Sequence, residues 1–397
     1  MWSRRATTSN YARKAILVSA LGFGLDGFDL LIISFALPGI IASFHLSTVK
    51  AGWLATLTLI GAAIGGTAAG VLADRFGRVR VLTWTVVFFA VFTGLGALAH
   101  GYFDFAVYRF LAGLGLGGEF GIGMALAAEA VAGPRRARAT SLVAVGCQLG
   151  VLTAALIAAP IINTVGWRGL FVVGTLPAVI AMMFRLMLPE PPMFLERQRA
   201  AARESLRLLF KDRATAAMLV LTVAQNFGYY GVLVWLPHYL SESRGLGLTK
   251  GSLWTAVTVL GMIAGILVFG QLADRFGRRP ALWLYQAGAA GSVLIYSQLT
   301  HPAALLAGGF VVGGFANGMV GGLGALLAEL YPTAIRATAQ NLLFNVGRGI
   351  GGLAPVLIAA VATSHGFQFA LALLPTIYVI EAAVVALIPE RRGAVLT

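Results

Sequence analysis

Twelve apolar stretches, each about the length of a bilayer-crossing helix, follow one another through the chain with only short polar or Gly/Pro interruptions. A hydrocarbon core of ~30 Å takes roughly 20 apolar helical residues to cross. The spacing therefore predicts spans over 15–43, 51–73, 80–99, 103–130, 140–163, 168–188, 214–240, 251–273, 280–299, 302–328, 337–363 and 366–389. Composition agrees. Of 397 residues, 58% are hydrophobic and only 11% charged, less than half the ~25% of a soluble domain, and the mean hydropathy of +0.85 extends over the whole length. This excludes a water-soluble domain and predicts an all-α polytopic membrane protein. The first span is too long, and too polar in its middle, for a cleaved signal peptide. The single cysteine, Cys147, rules out a disulfide framework and any cysteine-based zinc or redox motif.

The formal charge of +14 is explained by where the basic residues fall. With both termini cytoplasmic, 23 of the Lys and Arg residues lie in inward-facing segments and 4 in outward-facing ones, while Arg109 and Arg348 lie inside spans. That is the positive-inside pattern of a multi-pass protein of the cell membrane, and it needs no nucleic-acid partner. The Arg-rich run after Phe194 is amphipathic and is expected at lipid headgroups.

The segment Leu72-Ala73-Asp74-Arg75-Phe76-Gly77-Arg78 returns unchanged at Leu272-Ala273-Asp274-Arg275-Phe276-Gly277-Arg278. Glu129 returns as Glu329 at the same shift, Arg138-Ala139-Thr140 resembles Arg336-Ala337-Thr338, and Leu188-Pro189-Glu190 is echoed by Ile388-Pro389-Glu390. Two homologous six-helix halves follow, 1–188 and 214–397, joined by a cytoplasmic linker at 189–213. Transporters built from such repeats hold their site near the midplane between the halves. Each chain already contains both halves, so a monomer suffices.

These motifs, with Pro189-Glu190-Pro191-Pro192-Met193-Phe194-Leu195, resemble the signatures of the major facilitator superfamily over the full chain. The resemblance implies twelve transmembrane helices in two bundles. It also implies cytoplasmic gating contacts among Asp74, Arg75, Arg78, Glu129 and Arg138 and their counterparts Asp274, Arg275, Arg278, Glu329 and Arg336.

Ionisable residues inside spans cost roughly 2.5–3.5 kcal/mol each even on the lenient insertion scale, so each asks for a reason. They are Asp26, Asp29, Arg109, Glu119, Arg348 and Glu381, with Asp104 at a boundary. Asp26 and Asp29, three apart, share one helical face, and two carboxylates so close in low dielectric do not both stay ionised. Asp29 lies ~21 Å from the cytoplasmic start of its span and Arg109 ~9 Å from the outer start of its own, which is the same level. Gly27-Phe28-Asp29 and Tyr108-Arg109-Phe110 resemble the coupling pair of proton-linked sugar porters and related symporters. Asp29 is then a proton carrier tuned by Arg109, or half of a static ion pair. Asp26-Gly27-Phe28-Asp29 resembles aromatic-acid:proton symporters, whereas Gly117-Gly118-Glu119-Phe120-Gly121 is similar to metabolite and sialate/lactate-type symporters. Glu119 is either a second protonatable group or a structural acid.

Arg348 lies ~16 Å into its span, near the midplane, and its planar fork suits a carboxylate, so a substrate anion is its expected partner; a structural pair with Glu119 or Asp26 is the alternative. Asn226, Tyr229, Tyr230 and Trp235 on span 7, with Gln148, Asn345 and Phe28, are expected to line the site of an apolar carboxylate. Glu381 matches no motif and no cation, which leaves a bundle contact or a partly lipid-exposed acid. The string Gly113-Leu114-Gly115-Leu116-Gly117-Gly118 fits a dinucleotide fingerprint only in letters, because it lies in a span. No nucleotide-binding motif, metal cluster or cofactor signature is present; protons serve as the coupling ion. The sequence thus predicts a non-enzymatic secondary transporter importing a small organic anion with protons. A proton-coupled sugar or polyol porter is the alternative, and a drug:proton antiporter a further one.

Overall fold

The computed structural model describes residues 2–46, 48–186, 189–190, 213–233, 247–333 and 335–391. Among these residues there is no strand. The first half holds α1 (Trp2–Phe44), α2 (Thr48–Phe76), α3 (Arg78–Gly96), α4 (Tyr102–Leu116), α5 (Gly118–Glu129) and α6 (Arg136–Leu186). The second holds α7 (Arg213–Leu233), α8 (Gly247–Phe276), α9 (Arg278–Gln298), α10 (Pro302–Gly318), α11 (Val320–Leu330), α12 (Arg336–Gly351), α13 (Ala354–His365), α14 (Phe367–Ala372) and α15 (Pro375–Val385). Helix α6 covers two expected spans, which part at Gly166, whose positive φ of 75° breaks the helical path. Spans 4 and 10 are each divided by a turn at corresponding places, giving α4/α5 and α10/α11.

Nine helical stretches among the described residues are long and apolar enough to cross a membrane. The expected spans outside that count have physical reasons. Helix α9 carries Arg278, Arg279, Tyr285, Gln286 and Tyr296, and α12 carries Arg336 and Arg348, which lower their hydropathy. Residues 187 and 188 of span 6 and 191–212 of the linker lie outside the described residues. The outward faces are apolar: Trp53, Ile64, Trp84, Phe103, Leu156 and Val379 are exposed. The charges Asp26, Asp29, Arg109, Glu119, Arg348 and Glu381 are all buried. This inversion of the soluble pattern suits a bundle surrounded by lipid.

Glycine sets the helix spacing, and it does so twice. A Cβ at Gly61 or Gly65 of α2 would run into the carbonyls of Phe110 or Leu114, and at Gly261 or Gly265 of α8 into those of Phe310 or Gly314. Backbone therefore meets backbone where α2 crosses α4 and where α8 crosses α10, as small residues permit in membranes. These positions differ by the same 200 residues as the sequence repeat.

Candidate functional site

A narrow cavity lies between the halves. Its walls come from α1 (Asp26), α6 (Gln148), α7 (Gln225, Asn226, Tyr229, Tyr230), α10 (Asn317) and α12 (Arg348), with Phe23 and Phe344 among the apolar lining. Arg348 donates from its two terminal nitrogens to the two carboxylate oxygens of Asp26, at 2.7 and 2.8 Å, and from Nε to the Tyr230 hydroxyl at 2.9 Å. Asp26 and Arg348 are 1% and 2% exposed. This is a bidentate, charge-assisted pair that ties one half to the other across the cavity. The expected anion partner of Arg348 is, in this state, the chain's own carboxylate. Phe344 stacks on Phe120 of the other half with ring centroids 3.4 Å apart.

Asp29 and Arg109 meet, as their depths required. Arg109 donates from both terminal nitrogens to the Asp29 carboxylate, one bond being 2.9 Å, and its Nε reaches the Thr58 hydroxyl at 3.2 Å. Thr93 adds a donor to Asp29 at 3.4 Å. All four residues belong to the first half, and neither Asp29 nor Arg109 lines the cavity. Glu119 is buried beside Thr85, whose hydroxyl lies 3.1 Å from it. Glu381 is 0% exposed, which fits the bundle contact and not the lipid-exposed acid of the two alternatives, and neither carboxyl oxygen has a hydrogen-bond partner among the described residues.

Two further expectations are corrected. Asn345 does not line the cavity: its Nδ2 donates to the Gly117 carbonyl at 2.8 Å, while Gly121 N–H donates to Asn341 Oδ1 at 3.2 Å. Both asparagines of α12 thus hold the turn between α4 and α5. Phe28 packs with Ile32, Leu170 and Phe171 inside the first half, because its place on α1 faces α6 rather than the cavity. Trp235 lies outside the described residues. The cavity residues Asn317, Phe23 and Phe344 carried no charge or motif that set them apart from ordinary span residues.

At the end of the bundle where α2 turns into α3 and α8 into α9, carboxylates from each half sit on helix starts of the other. Asp74 accepts from the Ala337 and Thr338 N–H groups at 3.3 and 2.7 Å and from the Thr338 hydroxyl at 2.7 Å. Asp274 accepts from the Ala137 and Arg138 N–H groups at 3.2 and 3.1 Å. Anions at helix N-termini meet unpaired N–H groups and the positive dipole end. Arg78 and Arg278 tie this layer together, lying 2.9 Å from Asp74 and from Asp274. Glu129 takes Arg78 at 3.3 Å and, across the halves, Arg336 at 2.8 Å. Glu329 takes Arg278 at 2.9 Å and, across the halves, Arg136 at 3.6 Å. The counterpart of Arg336 is therefore Arg136, not Arg138. Matching Arg-Ala-Thr strings set the repeat two residues out of register, because the local likeness outweighed the shift of 200 that the pairs obey. Arg138 is a surface side chain with its Nε 3.7 Å from Asp274. Arg75 and Arg275 are exposed over the rings of Phe76 and Phe276 and, among the described residues, take no part in the layer. The repeated Pro-Glu acquires a function here: Glu190 accepts from the Val79 and Arg80 N–H groups, and Glu390 from Arg279, at the starts of α3 and α9.

The Major Facilitator Superfamily family model matches residues 19–264 and 248–395. A Haemophilus influenzae protein whose name assigns it provisionally to metabolite transport is 53% identical over 98% of each chain. The cis,cis-muconate transport protein of Acinetobacter baylyi is 33% identical over 95% of this chain and 94% of its own. A solved structure of the proton:xylose symporter XylE bound to 6-bromo-6-deoxy-D-glucose superposes with a TM-score of 0.85 at 22% identity, covering 98% of both chains. The chain belongs to the major facilitator superfamily. It has that family's all-α fold and is a multi-pass membrane transporter, not an enzyme.

Proposed function

We propose that the protein is a proton-coupled symporter that takes up a small organic anion by alternating access, with Asp26 and Arg348 as the coupling pair. The observation that carries this reading is the bidentate Asp26–Arg348 bridge inside the cavity. An incoming carboxylate needs the same guanidinium fork that Asp26 occupies. A proton on Asp26 removes its negative charge and releases the fork, so anion and proton enter together. Either one alone leaves a buried charge uncompensated. Bringing the halves together around the loaded site and separating the cytoplasmic layer then moves both inward. The Acinetobacter relative that carries an organic anion by name supports the substrate class. A sugar has no use for the bridge.

Asp29 as the proton carrier is a second reading, favoured by its burial with Arg109. The two are separated in proteoliposomes by comparing uphill uptake with substrate exchange. Asp26→Asn is expected to abolish uphill uptake of carboxylate and keep exchange, while Asp29→Asn keeps proton-driven uptake at a reduced rate. Uphill uptake surviving in Asp26→Asn but lost in Asp29→Asn would transfer the proton to Asp29. We further place the protein in the cell membrane as a monomer with both termini cytoplasmic, as the charge asymmetry of the loops suggests.

A further inference from the structure

Span 4 is broken between α4 and α5, and the break is held from the other half. In a continuous helix the Gly121 N–H would donate to the Gly117 carbonyl, four residues back. Here both groups bond α12 instead: Gly121 N–H donates to Asn341 Oδ1 at 3.2 Å, and the Gly117 carbonyl accepts from Asn345 Nδ2 at 2.8 Å. Two side-chain amides thus stand in for one backbone hydrogen bond. Room for them is reserved, because a Cβ at Gly121 would enter the Asn341 side chain and a Cβ at Gly66 of α2 the Asn345 amide. The hold carries a cost. Asn345 Oδ1 is buried and has no partner among the described residues, and water reaches such a group only once the halves part.

The backbone itself does not require this break. Gly117 has φ −58° and ψ −26°, within ordinary helical scatter, so a small rotation lets Gly117 and Gly121 bond each other. The corresponding break in span 10 is of another kind. Met319 has ψ −11°, and its carbonyl accepts from the N–H of Gly322, three residues on, at 3.0 Å. The residues 200 positions before Asn341 and Asn345 are Ser141 and Val145 on α6. Valine has no amide to offer, and the Ser141 hydroxyl makes no hydrogen bond among the described residues. One break closes on its own turn, and the other is kept by a partner helix.

Resting on the alternating-access reading above, we propose that Asn341 and Asn345 are the positioning residues of a helix switch in span 4. While α12 lies on the first half they keep the span broken. When α12 withdraws, Gly117 and Gly121 bond each other, the span becomes continuous, and the Phe120 ring leaves its stack on Phe344. Asn341, Asn345 and Arg348 lie at i, i+4 and i+7, on one face of α12. The bridge to Asp26 and the hold on span 4 are therefore carried by the same helix face, and a change at the bridge reaches span 4 through α12.

The test is double electron–electron resonance on the full-length protein in detergent, in a Cys147→Ser background. Spin labels at Val107→Cys and Ala132→Cys, both exposed positions, straddle the break, and labels at Arg75→Cys and Arg275→Cys report the parting of the halves. Asn345→Val and Asn341→Ser each copy the residue at the corresponding place on α6 and are measured separately, so either one serves if the other does not fold. Each is expected to raise the fraction of molecules with the longer 107–132 distance of a straight span by about fivefold or more, and to lengthen the 75–275 distance with it. Halves that part over an unchanged 107–132 distance overturn the switch and leave the asparagines a static brace. Distributions unchanged at both pairs overturn the hold itself. Both distances are read without substrate, so their result stands whether or not the wild type carries protons with a carboxylate.

Discussion

Replacing Asp26 with asparagine should make the protein bind carboxylates more tightly at alkaline pH while destroying its ability to concentrate them. The two bonds from Arg348, at 2.7 and 2.8 Å, link residues that are both almost fully buried. Removing one partner of such a pair leaves about 3–5 kcal/mol of uncompensated charge. At about 1.36 kcal/mol per tenfold, an anion that restores the balance gains at most roughly 10²–10⁴-fold in affinity. The amide introduced by Asp26→Asn keeps part of the bonding, so a gain of at least about tenfold is the working expectation. The pH dependence has a definite sign. In the wild type, binding of the anion takes up a proton, so wherever Asp26 is ionised the dissociation constant rises about tenfold for each unit of pH increase. In Asp26→Asn that slope vanishes. Calorimetric titration across a pH series, in two buffers of different ionisation enthalpy to count protons, reads both quantities. An unchanged slope, or weaker binding in the variant at every pH, refutes the reasoning.

Other consequences follow from the same contacts. Glu129→Gln leaves Arg78 and Arg336 without their shared carboxylate, a penalty of about 3–5 kcal/mol on the ion-pair layer that joins the halves. In a Cys147→Ser background, spin labels at Arg75→Cys and Arg275→Cys should then report longer distances, and an unchanged distribution would remove Glu129 from the gate. Glu381→Leu deletes a buried carboxyl with no hydrogen-bond partner among the described residues. It should raise unfolding stability by about 1–3 kcal/mol with transport intact, and a loss of stability would show that Glu381 has a structural partner. Gly65→Ala forces a Cβ into the Leu114 carbonyl and should cost about 1–3 kcal/mol or more, seen as a lower melting temperature in detergent; a variant as stable as wild type would mean that α2 and α4 are free to move apart.

The depth of a charge along its span was legible in the sequence, and its direction around the helix was not. Rise per residue matched Asp29 with Arg109, and the structure joins them. The same arithmetic places Asp26 and Arg348 at equal depths of ~16 Å, yet the expectation gave Arg348 to the substrate first. Asp26 and Asp29 differ by about 60° of rotation, and that angle decides which one faces the cavity. It depends on how α1 lies against α6, where a Cβ at Gly27 or Gly150 would enter the opposing backbone, and no single span encodes that packing. The two-half architecture was plain because a heptapeptide repeats without change. The Arg136–Glu329 contact was hidden because a local match shifted the repeat by two residues. A neutral residue such as Asn317 resembles any other polar residue in a span until the cavity around it is seen.

The most direct measurement uses purified protein in liposomes and records the external pH as a carboxylate is added, with protein-free liposomes subtracting passive weak-acid entry. Alkalinisation outside that depends on the protein, appears with 4-hydroxybenzoate and is absent with xylose is the expected result. Protein-dependent uptake of the carboxylate with no proton movement, or a response to xylose alone, would contradict proton-coupled anion symport through Asp26 and Arg348.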